Sequence, residues 1–218
     1  MSAVTKPSRR PAATSIEAAV VTGLAILDAE GLDALTIRRL AKELGVGTMT
    51  LYSYFETKDD LIDRIAAYVF GDIHTLIPES GPWDSRLTAA MKHLQATLRA
   101  HPGASTLSLT RRGPIPAIDP FRDKILGILR DGGFTLQDAI HALTALIFYV
   151  TGDIIIENAR TKLETEKERA RLAALPAQQY PNLSAAADHY ASHVSQQAFD
   201  IGLESLIRGL ALRIHASF

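Results

Sequence analysis

Apolar residues along this chain recur at three- and four-residue steps and almost nowhere alternate, so the pattern predicts helices and no hairpins. Ile16, Val20, Leu24 and Leu27 share one face of a first helix, with Thr14 and Glu17 at capping-box spacing before it and Gly31 as its stop. Ile37, Leu40, Ala41 and Leu44 mark a short second helix between an N-cap at Thr36 and a stop at Gly45. A third, shorter still, follows Gly45-Val46-Gly47, with Thr48 as its cap and Leu51 and Phe55 turned inward. Thr57 and Asp60 repeat the capping-box spacing and open a fourth helix, from Lys58 to about Ile73.

Pro78, Gly81 and Pro82 break the pattern, and Trp83-Asp84 restarts it with Leu87, Met91, Leu94 and Leu98 on one face. Residues 101–120 are punctuated by Pro and Gly and predict short or broken helix. Phe121 to Arg130 is helical, and Gly132-Gly133 stops it. Thr135 and Asp138 then open a long apolar helix reaching to about Arg160. Its uncharged core, Ala139 to Gly152, is shorter than the about 20 residues that span a bilayer, so it reads as a buried helix. Residues 157–171 carry dense charge of alternating sign and read as a solvated helix end or connector. A last helix bears Phe199, Leu203, Leu206, Ile207, Leu210 and Ile214 in one stripe. The fold class is therefore all-α. It divides into a polar, basic arm at 1–13, a compact helical unit at 14–70 and a larger one at 71–218, with no long linker near residue 70.

Composition narrows the function. Among 218 residues, 47% are hydrophobic, which is the balance of a folded chain. The absence of cysteine excludes disulfides, Cys-ligated zinc, iron–sulfur clusters and a thiol nucleophile. The first fifteen residues, polar and Pro-containing, have no apolar segment of a secretion signal, and the expectation is a cytoplasmic protein. A net charge of −1 argues against a polybasic membrane binder and against indiscriminate coating of nucleic acid. It leaves room for a small contact face. No P-loop, dinucleotide fingerprint or nucleophile elbow occurs, so the sequence carries no support for an enzyme or a cofactor. His189 and His193 stand four apart, but two ligands do not make a zinc site.

The informative stretch is TIRRLAKELGVGTMTLYSYFETK, Thr36 to Lys58: helix, tight Gly-containing turn, short helix, which is a helix-turn-helix. The second helix is left with an outer face of Thr48, Met49, Thr50, Tyr52, Ser53 and Tyr54, free of acidic residues. Hydroxyls can meet phosphates and base edges there, and apolar atoms can meet thymine methyls. Arg38, Arg39, Lys42 and Lys58 make the stretch locally basic, and Lys6, Arg9 and Arg10 add a basic arm.

This string, with its T-L-Y-x-Y-F-x-x-K core, resembles the signature of the TetR family of transcriptional regulators. LRAHPGAS, the helix start at Gly133–Leu136 and FDIGLESLIRGL resemble the C-terminal domain of its tetracycline-repressor subclass. The resemblance implies an all-α homodimer with a DNA-binding unit and a ligand-binding core. It implies that Arg38 contacts a base, that Thr36, Thr50, Tyr52 and Lys58 contact phosphates, and that Thr48, Met49, Ser53 and Tyr54 face the groove. Two-fold symmetry would set the two recognition helices one DNA turn apart, about 34–36 Å, on a palindromic operator.

For the core, His74, Leu94, Leu98 and Leu107 are candidates to line a pocket, as are Ser108, Phe121, Phe148 and Ile155. His74 matches a ligand-contacting histidine of tetracycline-binding members. Ser108 and Ala90, however, fall where those members place a magnesium-binding histidine and a recognition asparagine. These departures point to a different small molecule, apolar or amphipathic. On the last helix Gly202 and Gly209, with Leu206 and Leu210, are the candidate dimer face, because paired glycines on one side imply close approach of another helix. Packing within the chain would explain the same glycines. The resulting expectation is a repressor released from DNA by a small-molecule inducer. The alternatives are an activator, or a helical binding protein or enzyme without a DNA role.

Overall fold

The computed structural model describes residues 15–110, 113–159, 162–190 and 195–216, with the side chains of 108–110, 162–163, 190 and 213–216 left aside. The basic arm, Thr14 and His193 lie outside the described residues. The helices are α1 (Ile16–Glu30), α2 (Ile37–Leu44), α3 (Thr48–Tyr52), α4 (Lys58–Phe70), α5 (Trp83–Ala100) and α6 (Pro102–Thr110). After them come α7 (Asp119–Asp131), α8 (Leu136–Asn158), α9 (Lys162–Ala173), α10 (Pro181–Ala185), α11 (Ala187–Tyr190) and α12 (Gln196–Ala216). Short 3₁₀ turns occupy Ile73–Leu76 and Pro116–Ile118, and no strand occurs among the described residues.

Side-chain caps explain several of the helix starts. Thr36 accepts a hydrogen bond from the Arg39 N–H at 3.1 Å, Thr57 from Asp60 at 3.1 Å and Thr135 from Asp138 at 3.1 Å. Each cap of this kind is worth about 1 kcal/mol. Asp60 reaches back to the Glu56 N–H at 3.3 Å, one residue before the expected box partner. Two caps fall beside their expected positions. Ser15 caps α1, accepting from Ala18 at 3.0 Å. Gly47 is the N-cap of α3, so Thr48 is its first helical residue, with its hydroxyl outside the cap. Gly45 closes α2 at φ 67°, a left-handed conformation open to glycine without penalty.

α1 to α4 pack on one another around Leu24, Leu27, Leu35, Leu40, Leu51 and Phe55, all buried. α3, five residues long, is too short to persist alone, and the full burial of Leu51 and Phe55, about 1.5–3 kcal/mol each, fixes it against α2. α4 ends at Phe70, three residues earlier than its apolar pattern suggested, and the chain passes through the 3₁₀ turn into α5. α5, α7 and α8 form the centre of the larger unit, with α6 inserted between α1 and α8.

α8 is 23 residues, longer than its uncharged core, and long and apolar enough to cross a membrane by size alone. It packs instead against α5, α6, α7 and α12. Its Asp153 accepts from the buried Gln95 carboxamide at 2.9 Å and its Glu157 from Arg99 at 3.0 Å. Such polar anchoring belongs to a core helix, not to one facing lipid. The charged run after it is helix as well as surface: in α9, Arg169 pairs with Glu166 and Arg171 with Glu168, while Leu172 is buried.

Candidate nucleic-acid interface and cavity

At the outer end of α1–α4, α3 presents one face to solvent. Met49 is 78% exposed and Tyr52 52%, one turn apart on that face. Thr48 and Ser53 are exposed beside them, and Thr50 and Tyr54 are partly so. The Ser53 hydroxyl donates to the Thr50 carbonyl at 2.7 Å, and Tyr54 lies edge-on to Phe55. Thr36, Arg38, Thr48, Met49, Thr50, Tyr52, Ser53 and Tyr54 therefore all reach the surface.

The arginines of α2 differ in a way that spacing could not reveal. Arg39 pairs with Glu43 one turn on and with Glu30 at the end of α1, 2.9 Å away. The hydrogen bond it donates to Glu43, then that to Glu30, raises its pKa above the ordinary arginine value. Arg38 is exposed and has no ionic partner among the described residues. Lys58 is half-buried, and its ammonium donates to the Leu32 carbonyl at 2.9 Å, which ties the start of α4 to the α1–α2 loop.

In the larger unit a cavity opens between five helices. Phe70, the last residue of α4, forms one wall, with Leu94 and Leu98 of α5 opposite. Ala104 and Ser105 of α6, with Ile115 and Ile118 after it, form another, and Arg122 of α7 and Ile147 and Thr151 of α8 complete it. The space between these side chains, with the solvent at its open mouth, is about 470 Å³. Of the residues singled out from the sequence, Leu94 and Leu98 line it.

The others stand elsewhere. Leu107 and Phe121 are fully buried in the surrounding core, and Ala90 is likewise buried. Ile155 is partly buried without reaching the cavity. Phe148 is a correction: it is 71% exposed on the outer side of α8, not turned inward. His74 sits in the 3₁₀ turn after α4, its Nδ1 buried without a hydrogen-bond partner among the described residues. The side chain of Ser108 lies outside the described residues.

One of the joints between the two regions lies at the start of α6. α6 begins with Pro102, and its next N–H, on Gly103, donates to Asp28 of α1 at 2.9 Å. The other oxygen of Asp28 meets His101 Nδ1 at 3.1 Å. A carboxylate at a helix N-terminus satisfies a free N–H and complements the helix dipole. Here it comes from a different unit. The approach is so close that a Cβ on Gly103 would stand 2.4 Å from the Leu27 carbonyl oxygen, so only glycine fits.

The last helix also separates two readings. A Cβ on Gly202 would lie 2.1 Å from the Tyr149 hydroxyl of α8, so this glycine packs closely against its own chain. Gly209 faces open space, with Leu206 and Leu210 partly exposed nearby. Ile140, Phe148 and Ile156 of α8 and Ile201 and Leu212 of α12 add exposed apolar surface on the same two helices.

Residues 20–65 match the model of bacterial regulatory proteins of the tetR family, and residues 77–214 that of the tetracyclin repressor-like C-terminal domain. The chain belongs to the TetR family. It is 32% identical over 203 residues to the class D tetracycline repressor protein of Escherichia coli, covering 92% of this chain and 90% of that one. Apo ActR from Streptomyces coelicolor superposes with a TM-score of 0.78 at 30% identity, over 97% of this chain and 100% of the other. ActR in complex with actinorhodin gives 0.75 at 30% identity, over 92% and 98%. This TetR-family chain is a ligand-responsive, DNA-binding transcriptional repressor, all-α, with a helix-turn-helix unit followed by a larger helical domain.

Proposed function

We propose that this repressor binds a palindromic operator as a homodimer and is released when a small organic molecule fills the cavity under α4. In this reading residues 14–70 read DNA, 71–218 sense and dimerise, and the 1–13 arm adds basic contacts. Arg38 reads a base edge. Thr36, Thr50, Tyr52 and Lys58 hold phosphates, and Thr48, Met49, Ser53 and Tyr54 face the groove. Leu206, Gly209 and Leu210, with the exposed apolar positions of α8 and α12, meet the second copy. The protein works in the cytoplasm and performs no catalysis. Neither metal nor cofactor is needed, and an alanine at position 90, where tetracycline-binding members place an asparagine, speaks against magnesium–tetracycline as the effector.

The observation that carries this reading is that one cavity is walled by both connections to the DNA-facing unit. Phe70 ends the helix that begins at Lys58, and Ala104–Ser105 belong to the helix seated on Leu27 and Asp28. A molecule that wedges this cavity moves α4 and α6 together. It releases DNA only as far as it prefers the displaced arrangement. The test begins with footprinting of the DNA protected near the gene, then screens small molecules for release at fixed salt. A releasing molecule must lose its effect on a Leu94→Trp protein that still binds the operator. Release that survives the filled cavity would refute the reading.

A further inference from the structure

We propose that the effector is an amphipathic organic anion, with its apolar body in the cavity and its carboxylate, sulfonate or phenolate at Arg122. The proposal rests on the cavity being the effector site. Among the described lining residues Arg122 alone is charged. The depth is apolar and closed: Leu94 and Leu98 are 2% and 4% exposed, and Thr151 only 8%. The Arg122 side chain lines the cavity and is 45% exposed, so it is in contact with both the cavity and solvent.

That gradient sorts the ligand chemistries. A cation would meet like charge at the entrance. A neutral apolar body would gain the walls and leave the guanidinium unused. An anion gains both, and because its charge stays at the partly hydrated mouth it avoids most of the penalty of full burial. Arg122 is available for the exchange. Its ionic partner among the described residues is Asp119, three positions back in the same helix, 3.2 Å away by one nitrogen and 63% exposed. An exposed pair of this spacing is held weakly. A guanidinium has five donors in a planar fork that takes two oxygens of a carboxylate or sulfonate at once. Thr151 adds a hydroxyl along the wall, and the Ser105 hydroxyl, which donates to the Pro102 carbonyl at 2.6 Å, adds little beyond it.

The test uses two fluorescent probes with the same fused-ring body. 8-Anilinonaphthalene-1-sulfonate carries the anion, and N-phenyl-1-naphthylamine lacks it. Both are titrated into the full chain and into Arg122→Met, Arg122→Lys and Leu94→Trp proteins. Wild type binds the sulfonate more tightly than the neutral probe. Arg122→Met weakens the sulfonate by about tenfold or more while changing the neutral probe less than about twofold, and Arg122→Lys keeps part of the preference. Leu94→Trp removes both. Equal affinity of the two probes for wild type, or an unchanged ratio in Arg122→Met, overturns the anion assignment and leaves the cavity standing. If wild type binds neither probe, or Leu94→Trp still binds both, the cavity reading falls and the assignment with it.

Discussion

Arg38 and Arg39 are adjacent in α2, yet Arg39 is held by Glu30 and Glu43 while Arg38 has no ionic partner among the described residues. Arg38→Ala should weaken operator binding by roughly 1–3 kcal/mol, about fivefold to 150-fold, with thermal stability unchanged. Arg39→Ala should leave affinity near wild type and loosen the α1–α2 contact. Fluorescence anisotropy at one salt concentration separates the two, and equal losses would contradict the assignment. The sequence could not divide these labours, since one partner of Arg39 lies nine residues away. Gly103 is a second residue whose role hides in the sequence. Nothing in LRAHPGAS tells that its Cα must pass the Leu27 carbonyl. Gly103→Ala should cost about 1–3 kcal/mol through overpacking, read as a lower melting temperature, and should weaken the response to any releasing ligand.

Between elements, the seam of α8 and α12 combines apolar and polar contacts. Tyr149 stacks on Phe199 and donates to its carbonyl at 2.9 Å. Burial, then the charges of Asp153 and Asp200, raise the Tyr149 pKa above the ordinary 10.0. The folded state thus retains the phenol proton longer than the unfolded state. The stability this confers is complete below pH about 10 and is lost as pH rises through the folded pKa. Urea unfolding between pH 8 and 11 should show an alkaline fall that Tyr149→Phe flattens. Asp200 behaves in the opposite sense. The hydrogen bond from Lys92 holds its carboxyl below the usual range, so its contribution is present above that range and lost on acidification. The helices themselves were readable from periodicity and caps, because those signals are local. The cavity was not, because its walls come from five helices and only Leu94 and Leu98 announced themselves as inward residues of a long amphipathic helix.

For the whole molecule, α8 and α12 leave Ile140, Phe148, Ile201 and Leu212 in solvent, an apolar surface a lone subunit has no use for. Phe148→Glu should give a folded monomer by sedimentation, and operator affinity should collapse because two linked half-site contacts become independent. A dimer as stable as wild type would show that this face is not the interface. The net charge of −1 is consistent with such dependence on placed contacts: the positive charge is local, and indiscriminate sticking to DNA is weak. The joint at Asp28 has a further consequence for building new sensors. It consists of backbone atoms, one carboxylate and the His101 ring, and it uses none of the side chains that face outward on α3. A foreign operator specificity could therefore be transplanted by exchanging α2 and α3 alone, and this core would drive it unchanged so long as the recipient α1 keeps an aspartate opposite Gly103.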